Sequence, residues 1–181
     1  MFTYPVGGVF TLPSKALGGV ALRYDARMVT HRISSLAPCK ACQDRPPLTL
    51  EFSMAFQPIV DVRSREVFAY EALVRGLDGS GAAHILGQVN DDNRYQFDQA
   101  CRVKAVRLAA QLGMGCHVSI NFLPNAVYEP AACIRTTLEA AQQHQFPTDR
   151  LIFEITENER VVDKEHLKRI LQEYRRRGFK T

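Results

Sequence analysis

Residues 68–76 read FAYEALVRG and place Glu71 in the middle of an apolar run. An unpaired carboxylate is costly to bury, so Glu71 is either exposed or held there for a purpose. The preceding apolar stretch, FSMAFQPIVD at 52–61, is separated from this run by the polar segment VRSRE at 62–66. Two such stretches around a short polar turn predict a β-hairpin.

Helical and strand-like patterns alternate after the hairpin. A Gly-rich loop, with room for a short helix, is followed by a helix over 92–112, whose predicted buried face carries Phe97, Cys101, Ala105, Leu108 and Leu112. Further strands are predicted for HVSINF at 117–122 and RLIFEITE at 150–157. The stretch between them, 123–146, begins with turn residues and becomes helical, with Pro130 acceptable in a first helical turn. A last helix begins at Asp163 and stops at Gly178, and FKT begins another strand. This alternation predicts an α/β fold with a parallel sheet, either open or closed as a (β/α)8 barrel.

Composition narrows the functional classes. The 181 residues carry a mild net charge of +4, which does not resemble a protein that coats DNA or RNA polymers. The one basic cluster, Arg175-Arg176-Arg177, lies in the last turn of a predicted helix, where cations are favoured. No stretch approaches the ~20 apolar residues of a membrane span, and the N-terminus does not resemble a signal peptide, so we expect a cytoplasmic protein. No phosphate-binding Gly-rich loop motif is present.

The chain divides by pattern into an N-terminal extension or linker of unknown role, residues 1–50, and a domain at 51–181. The extension contains Cys39 and Cys42 in CKAC. Such a pair is half of a zinc site or a redox pair, but no second pair or His cluster follows at suitable spacing. Incidental cysteines are the preferred interpretation.

Oxygen-bearing side chains lie near the C-terminal ends of three predicted strands: Glu71, Asn121 and Glu154. In a parallel barrel this end carries the active site. Two carboxylates and an amide oxygen suit a hard cation such as Mg²⁺ or Mn²⁺, although glutamates at strand ends are also often exposed or salt-bridged. Arg75 follows Glu71 by four residues, where a guanidinium can hold a phosphate. Glu157 fits a supporting or helix-capping role.

FQPIVD, YEALVRG, SINF and FEITE, in this order, resemble the EAL domain family of cyclic di-GMP phosphodiesterases from about Phe52 to Thr181. The resemblance implies a modified (β/α)8 TIM-type barrel whose first strand is antiparallel. It implies hydrolysis of cyclic di-GMP to linear pGpG with Mg²⁺ or Mn²⁺. It also implies that a homodimer can form.

Site residues follow from the resemblance motif by motif. Glu71 and Glu154 match catalytic positions and, with Asn121, match the metal ligands. Arg75 matches the arginine that contacts a substrate phosphate. Gln57 and Leu73 match positions near the bound dinucleotide.

The sequence departs from the family pattern because it lacks the Asp-Asp-Phe-Gly motif and the later lysine and glutamate of the site. We therefore expect a partial barrel without its C-terminal half, an open sheet edge that favours oligomerisation or low solubility, and no appreciable activity of this chain alone. Two alternatives remain: a non-catalytic EAL-like module that binds cyclic di-GMP or a partner protein, and a thiol or metal regulator built on Cys39 and Cys42.

Overall fold

A computed structural model describes residues 47–155 and 160–181. These residues all belong to the compact unit Leu36–Thr181. Most of the 1–50 extension, with Cys39 and Cys42, lies outside the described residues, as does Glu157. The proposed domain boundary and the interpretations of those residues therefore stay predictions.

Four strands form one sheet in the order β1-β2-β3-β4. They are β1 (Ser53–Asp61), β2 (Glu66–Arg75), β3 (His117–Asn121) and β4 (Leu151–Glu154). β1 pairs with β2 antiparallel, whereas β2–β3 and β3–β4 pair in parallel. The predicted hairpin and the antiparallel first strand are both confirmed.

Five helices lie between and after the strands in the described part of the chain. They are α1 (Ala82–Leu86), α2 (Arg94–Gln111), α3 (Pro130–Cys133), α4 (Arg135–Gln143) and α5 (Lys164–Arg176). Single 3₁₀ turns at Pro124–Ala126 and Thr148–Arg150 precede α3 and β4. Each parallel crossover therefore contains helix, as the strand–helix alternation predicts.

The start of a further strand is also confirmed. Lys180 N donates to Leu151 O and Phe153 N donates to Lys180 O, both at 2.9 Å. This places Lys180 parallel to β4, beside Ile152.

The core lies between the sheet and the helices. Alternate sheet residues, Ala72, Val118, Ile120, Leu151 and Phe153, pack with apolar residues of α2, α4 and α5. A second cluster forms where Phe52 and Val74 contact Phe97 of α2 and Ile85 of α1. Because strand side chains alternate between faces, the residues between these core positions point to the opposite face of the sheet.

The expected buried face of α2 needs one correction. Phe97, Cys101, Ala105 and Leu108 are buried, but Leu112 is 45% exposed. The helix ends at Gln111, and Gly113 turns the chain with a φ of +64°. Met114 N then donates to Ala109 O at 3.0 Å, and Met114, rather than Leu112, packs against the core.

The stretch 123–146 begins with a 3₁₀ turn and then becomes helical, as predicted, but the helical part is divided into two helices at Ile134. Pro130 occupies the first turn of α3, as expected from its missing N–H. Among the described residues, no helix is both long and apolar enough to cross a membrane.

Candidate functional site

The pairing of the strands gathers the predicted site residues on one face of the sheet. Gln57 lies opposite Glu71 in the β1–β2 pair, and Ser119 lies beside Glu71 in the β2–β3 pair. Asn121 lies beside Glu154 in the β3–β4 pair. Together with Leu73 and Arg75, which alternate with the core residues of β2, these side chains form what we call the site face: Gln57, Glu71, Leu73, Arg75, Ser119, Asn121 and Glu154.

Glu71 and Asn121 are in direct contact. Asn121 Nδ2 donates a hydrogen bond of 2.9 Å to Glu71 Oε1, and both side chains are half-buried. The bond joins β2 to β3 and gives the Glu71 carboxylate a polar partner. This hydrogen bond offsets part of the free-energy cost of placing a carboxylate in an apolar strand. Asn121 Oδ1 and Glu71 Oε2 are the oxygens of this pair that the bond does not use.

Glu154 completes the row at the end of β4. Its side chain is exposed, and its main-chain oxygen accepts a hydrogen bond of 3.0 Å from Phe122 N. Asn121 therefore has a glutamate on each side: it is hydrogen-bonded to Glu71 and paired in register with Glu154. The structure brings together the three residues predicted to bind a metal.

Glu71 is not at the physical end of its strand, contrary to the expectation for strand-end ligands. β2 continues to Arg75 because its last residues pair with β1. The parallel pairing with β3, however, stops at Ala72–Ile120. Glu71 is thus near the carboxyl end of the parallel part of the sheet, where ligands of parallel barrels gather.

The three residues predicted to bind substrate differ in exposure. Arg75 is half-buried, and its Nη1 donates to Val74 O at 2.7 Å. Leu73 is half-buried two residues earlier, and Gln57 is exposed on the neighbouring strand. All three lie on the site face: Gln57 is opposite Glu71, and Leu73 and Arg75 follow Glu71 along β2.

The donor atoms suit a hard divalent cation. Two carboxylates and one amide oxygen are ligands that Mg²⁺ and Mn²⁺ prefer, and thiolate or imidazole ligands are not part of the set. In the described part of the chain, no three His, Cys, Asp or Glu side chains form a cluster able to hold a metal ion. The amide of Asn121 is therefore essential to the set, and Glu71, Asn121 and Glu154 are the residues that would hold the cation.

A buried charged network behind the core was not predicted. Asp98 and Arg102 of α2 form a salt bridge of 2.5 Å with 2% and 0% side-chain exposure. Asp98 Oδ1 also accepts from Leu123 N at 2.9 Å, and Arg102 Nη1 donates to Tyr174 Oη at 3.1 Å. The network therefore fixes the chain just after Asn121 to α2 and α5. The i,i+4 spacing of Asp98 and Arg102 was the available sequence signal.

Burial and the ion pair act against each other in this network. Burial raises the pKa of the Asp98 carboxyl, against the opposing effect of the Arg102 charge. Burial lowers the pKa of Arg102, but the charge of Asp98 and its hydrogen bond raise it by more, so the guanidinium stays protonated. Burial raises the pKa of Tyr174 to about 12, against the opposing effect of the Arg102 charge.

This chain is similar to several proteins of known structure. A standalone EAL protein from Vibrio cholerae, solved in a c-di-GMP-bound form, is 58% identical with a TM-score of 0.69, covering 73% of this chain and 56% of that one. Klebsiella pneumoniae BlrP1, solved with manganese and cyclic di-GMP, is 25% identical with a TM-score of 0.65, covering 75% of this chain and 35% of that one. BlrP1 has also been solved with calcium and cyclic di-GMP.

A relative of known function also matches. The blue light- and temperature-regulated antirepressor BluF of Escherichia coli is 31% identical over 112 residues, which cover 61% of this chain and 28% of BluF. The chain thus spans about half the length of the Vibrio protein and less than a third of the length of BluF. The EAL domain model matches residues 44–181. This chain belongs to the EAL domain family.

Proposed function

We propose that this chain provides part of a cyclic di-GMP phosphodiesterase site that converts the cyclic dinucleotide to pGpG with Mg²⁺ or Mn²⁺. The observation that carries the proposal is the contact of Asn121 with Glu71 on a face that Asn121 shares with Glu154. Support also comes from the Vibrio and Klebsiella relatives, whose structures hold cyclic di-GMP.

The side chains of the site face have separate tasks in this proposal. Glu71, Asn121 and Glu154 hold the cation through oxygen atoms. When bound, a divalent cation supplies a polarised phosphoryl oxygen and a water of lowered pKa. Arg75 leaves its contact with Val74 O and offers its guanidinium to a phosphate, for which its planar fork is suited. Leu73 and Gln57 border the dinucleotide.

We further propose that the 181-residue chain alone does not turn over cyclic di-GMP appreciably. Mg²⁺ completes its octahedral shell with waters and substrate phosphates, and the described site residues would hold it through three protein oxygens from one side. The 181-residue sequence lacks the Asp-Asp-Phe-Gly motif and the later lysine and glutamate that complete the site of the family pattern. The purified chain is therefore expected to bind the cation and the nucleotide weakly and to form no appreciable pGpG.

The test measures binding and product separately. The purified chain is titrated with cyclic di-GMP by calorimetry, once with Mn²⁺ and once with EDTA, while pGpG is followed by chromatography. Glu71→Gln, which keeps the size of the side chain and one acceptor oxygen but replaces the other oxygen with an NH₂ group, is the matched variant. Mn²⁺-dependent binding that Glu71→Gln weakens supports the proposal. Robust, Glu71-dependent formation of pGpG contradicts the expected inactivity of the chain alone.

A second candidate function is a non-catalytic module that binds cyclic di-GMP or a protein. It is supported by BluF, whose name describes an antirepressor and not a hydrolase. The same titration separates the two candidates: binding of equal strength with Mn²⁺ and with EDTA, unaffected by Glu71→Gln, favours the non-catalytic module.

A further inference from the structure

Ser119 is a buried polar residue on the site face that the proposed mechanism does not use. Its side chain is 0% exposed, and its Oγ has no hydrogen-bond partner among the described residues. A buried hydroxyl without a partner costs free energy. The question is therefore which neighbouring group can accept a hydrogen bond from the Ser119 hydroxyl.

The neighbours of Ser119 on the site face limit the answer. Glu71 lies beside it on β2, and Ile152, which has no polar side-chain atom, lies beside it on β4. Along β3, the same face carries His117 and Asn121. Three of these four neighbours have a side-chain atom that can accept a hydrogen bond.

His117 is directed elsewhere. Its ring stacks on Phe68 with a centroid separation of 4.9 Å, and its Nδ1 lies 3.3 Å from Phe68 O. Asn121 already donates to Glu71, and its Oδ1 is assigned to the cation in the proposed function. The Glu71 carboxylate is the remaining acceptor, with one oxygen bonded to Asn121 and a second that the bond leaves unused.

We propose that Ser119 is a positioning residue for Glu71, whose carboxylate accepts a hydrogen bond from the Ser119 hydroxyl when a divalent cation is bound. The inference rests on the proposed function, because it assigns a role in that same site. Asn121 holds the Glu71 carboxylate through Oε1, and the Ser119 hydroxyl, beside Glu71 in the strand register, would hold the carboxylate from β3 as well. Such supporting hydrogen bonds to metal ligands are worth about 10–100-fold in metal affinity.

The test follows the affinity for Mn²⁺ alone, measured by electron paramagnetic resonance of free Mn²⁺ with the purified full chain. Ser119→Ala is expected to weaken Mn²⁺ binding about ten-fold. The same variant is expected to unfold at a temperature no lower than that of the original chain without metal, because it removes an unpartnered buried hydroxyl. A purely structural serine would show the opposite pair of effects.

Thr137→Val is the matched control. Thr137 is also 0% exposed with a hydroxyl that lacks a hydrogen-bond partner among the described residues, but it lies on α4, behind the core. Its replacement removes a comparable hydroxyl and is expected to leave Mn²⁺ affinity unchanged. An equal loss of affinity in both variants would mean that general loosening, and not Ser119, affects the site.

Failure of the inference and failure of the proposed function are distinguishable. If Glu71→Gln reduces Mn²⁺ binding but Ser119→Ala does not, the cation site stands and the role of Ser119 is wrong. If neither variant changes Mn²⁺ binding, or if the chain binds no Mn²⁺, the cation site itself is wrong and the inference falls with it.

Discussion

Asn121 shows how far residue-level reasoning from the sequence reaches. Its position at a strand end, together with Glu71 and Glu154, predicted that the three side chains would converge, and strand pairing places them on neighbouring strands and on one face of the sheet. The hydrogen bond between Asn121 and Glu71 was not predictable, because it depends on the register of two strands separated by a long helix. Strand order and register are properties of the folded chain and not of local pattern.

The burial of the Asp98–Arg102 pair, in contrast, was not predicted from the sequence. Sequence patterns assign charged residues of a helix to its solvent face, and only the folded core shows that Leu123 N and Tyr174 Oη are within reach of them. Buried charges depend on partners that are distant in sequence, so composition and periodicity do not reveal them.

Arg75→Lys tests the proposed phosphate contact. Lysine keeps the charge but loses the planar fork that binds phosphate through two bonds, so we expect about ten-fold weaker binding of cyclic di-GMP, or about 1.4 kcal/mol. The measurement is calorimetric titration of the chain with the dinucleotide in the presence of Mn²⁺.

Arg63→Lys is the control for Arg75→Lys, because Arg63 is an exposed arginine in the β1–β2 turn, away from the site face. Its replacement should leave the affinity unchanged. Equal affinities for Arg75→Lys and the original chain would exclude a bidentate contact of Arg75 with phosphate.

At the scale of elements, local signals predicted the helix termini best. Asp163 was expected to cap the last helix, and its Oδ1 accepts from His166 N at 2.9 Å at the start of α5. Gly178 was expected to end the same helix, and it has a φ of +90°. Both signals depend on residues within one turn of the helix, so they can be predicted without knowledge of the tertiary structure.

Elements whose extent depends on neighbours were predicted less well. β4 contains Leu151–Glu154, whereas Arg150 belongs to a 3₁₀ turn and Ile155 lies beyond the strand, because the length of β4 follows its pairing with β3 and Lys180. The stretch 123–146 was predicted to begin as a turn and to become helical with Pro130 in a first turn, which agrees with the structure, but the break between α3 and α4 at Ile134 was not predicted.

Replacement of Asp163 tests the cap of α5. Asp163→Ala should lower the unfolding temperature because it removes the acceptor of His166 N, whereas Asp163→Asn should retain most of the stability, since asparagine caps helices about as well as aspartate. The measurement is thermal unfolding followed by circular dichroism at pH 7.

The stability that the Asp163 charge contributes depends on pH, and the sign of this dependence follows from the pKa of Asp163. The backbone hydrogen bond from His166 lowers the pKa of Asp163 below its ordinary value. The stability that its charge contributes is therefore present above the ordinary pKa and is lost as the pH falls through the lowered value. A difference between the original chain and Asp163→Asn that is independent of pH would show that the charge contributes nothing.

At the scale of the whole molecule, Tyr174 connects the aromatic core to the buried ion pair of α2. This residue of α5 is 0% exposed, packs against Phe122, Phe153 and Phe179, and accepts a hydrogen bond from Arg102 of α2. One side chain thus joins the aromatic core to the buried ion pair. Its ionisation should therefore affect the stability of the whole described unit.

Alkaline unfolding tests this coupling. Because burial raises the pKa of Tyr174 to about 12, the folded chain keeps this proton at a pH where the unfolded chain, with a tyrosine pKa of about 10, loses it. The free energy of unfolding should therefore fall between pH 10 and 12, by about 1.4 kcal/mol per pH unit from this group. Urea unfolding at pH 8, 10 and 11 measures it.

Tyr174→Phe isolates the contribution of the phenol. The variant should be less stable at pH 8 by about 1–3 kcal/mol, because Arg102 loses a hydrogen-bond acceptor. The deficit should shrink as the pH rises, since the variant has no phenol to ionise. Other alkaline groups, such as the Cys101 thiol, whose pKa burial raises, are common to both proteins and cancel. A deficit that is constant from pH 8 to pH 11 would contradict the coupling.

The β1–β2 hairpin has a consequence for the order in which the protein acquires its parts. Its turn is closed locally, with Arg65 N donating to Asp61 O and Arg63 N to Asp61 Oδ1, both at 2.8 Å. Contacts between near neighbours in sequence form faster than those that must first close a long loop. On the ribosome, Gln57 and Glu71 can therefore face each other before Asn121 and Glu154 have been synthesised, and each later crossover adds its strand to an edge that already exists.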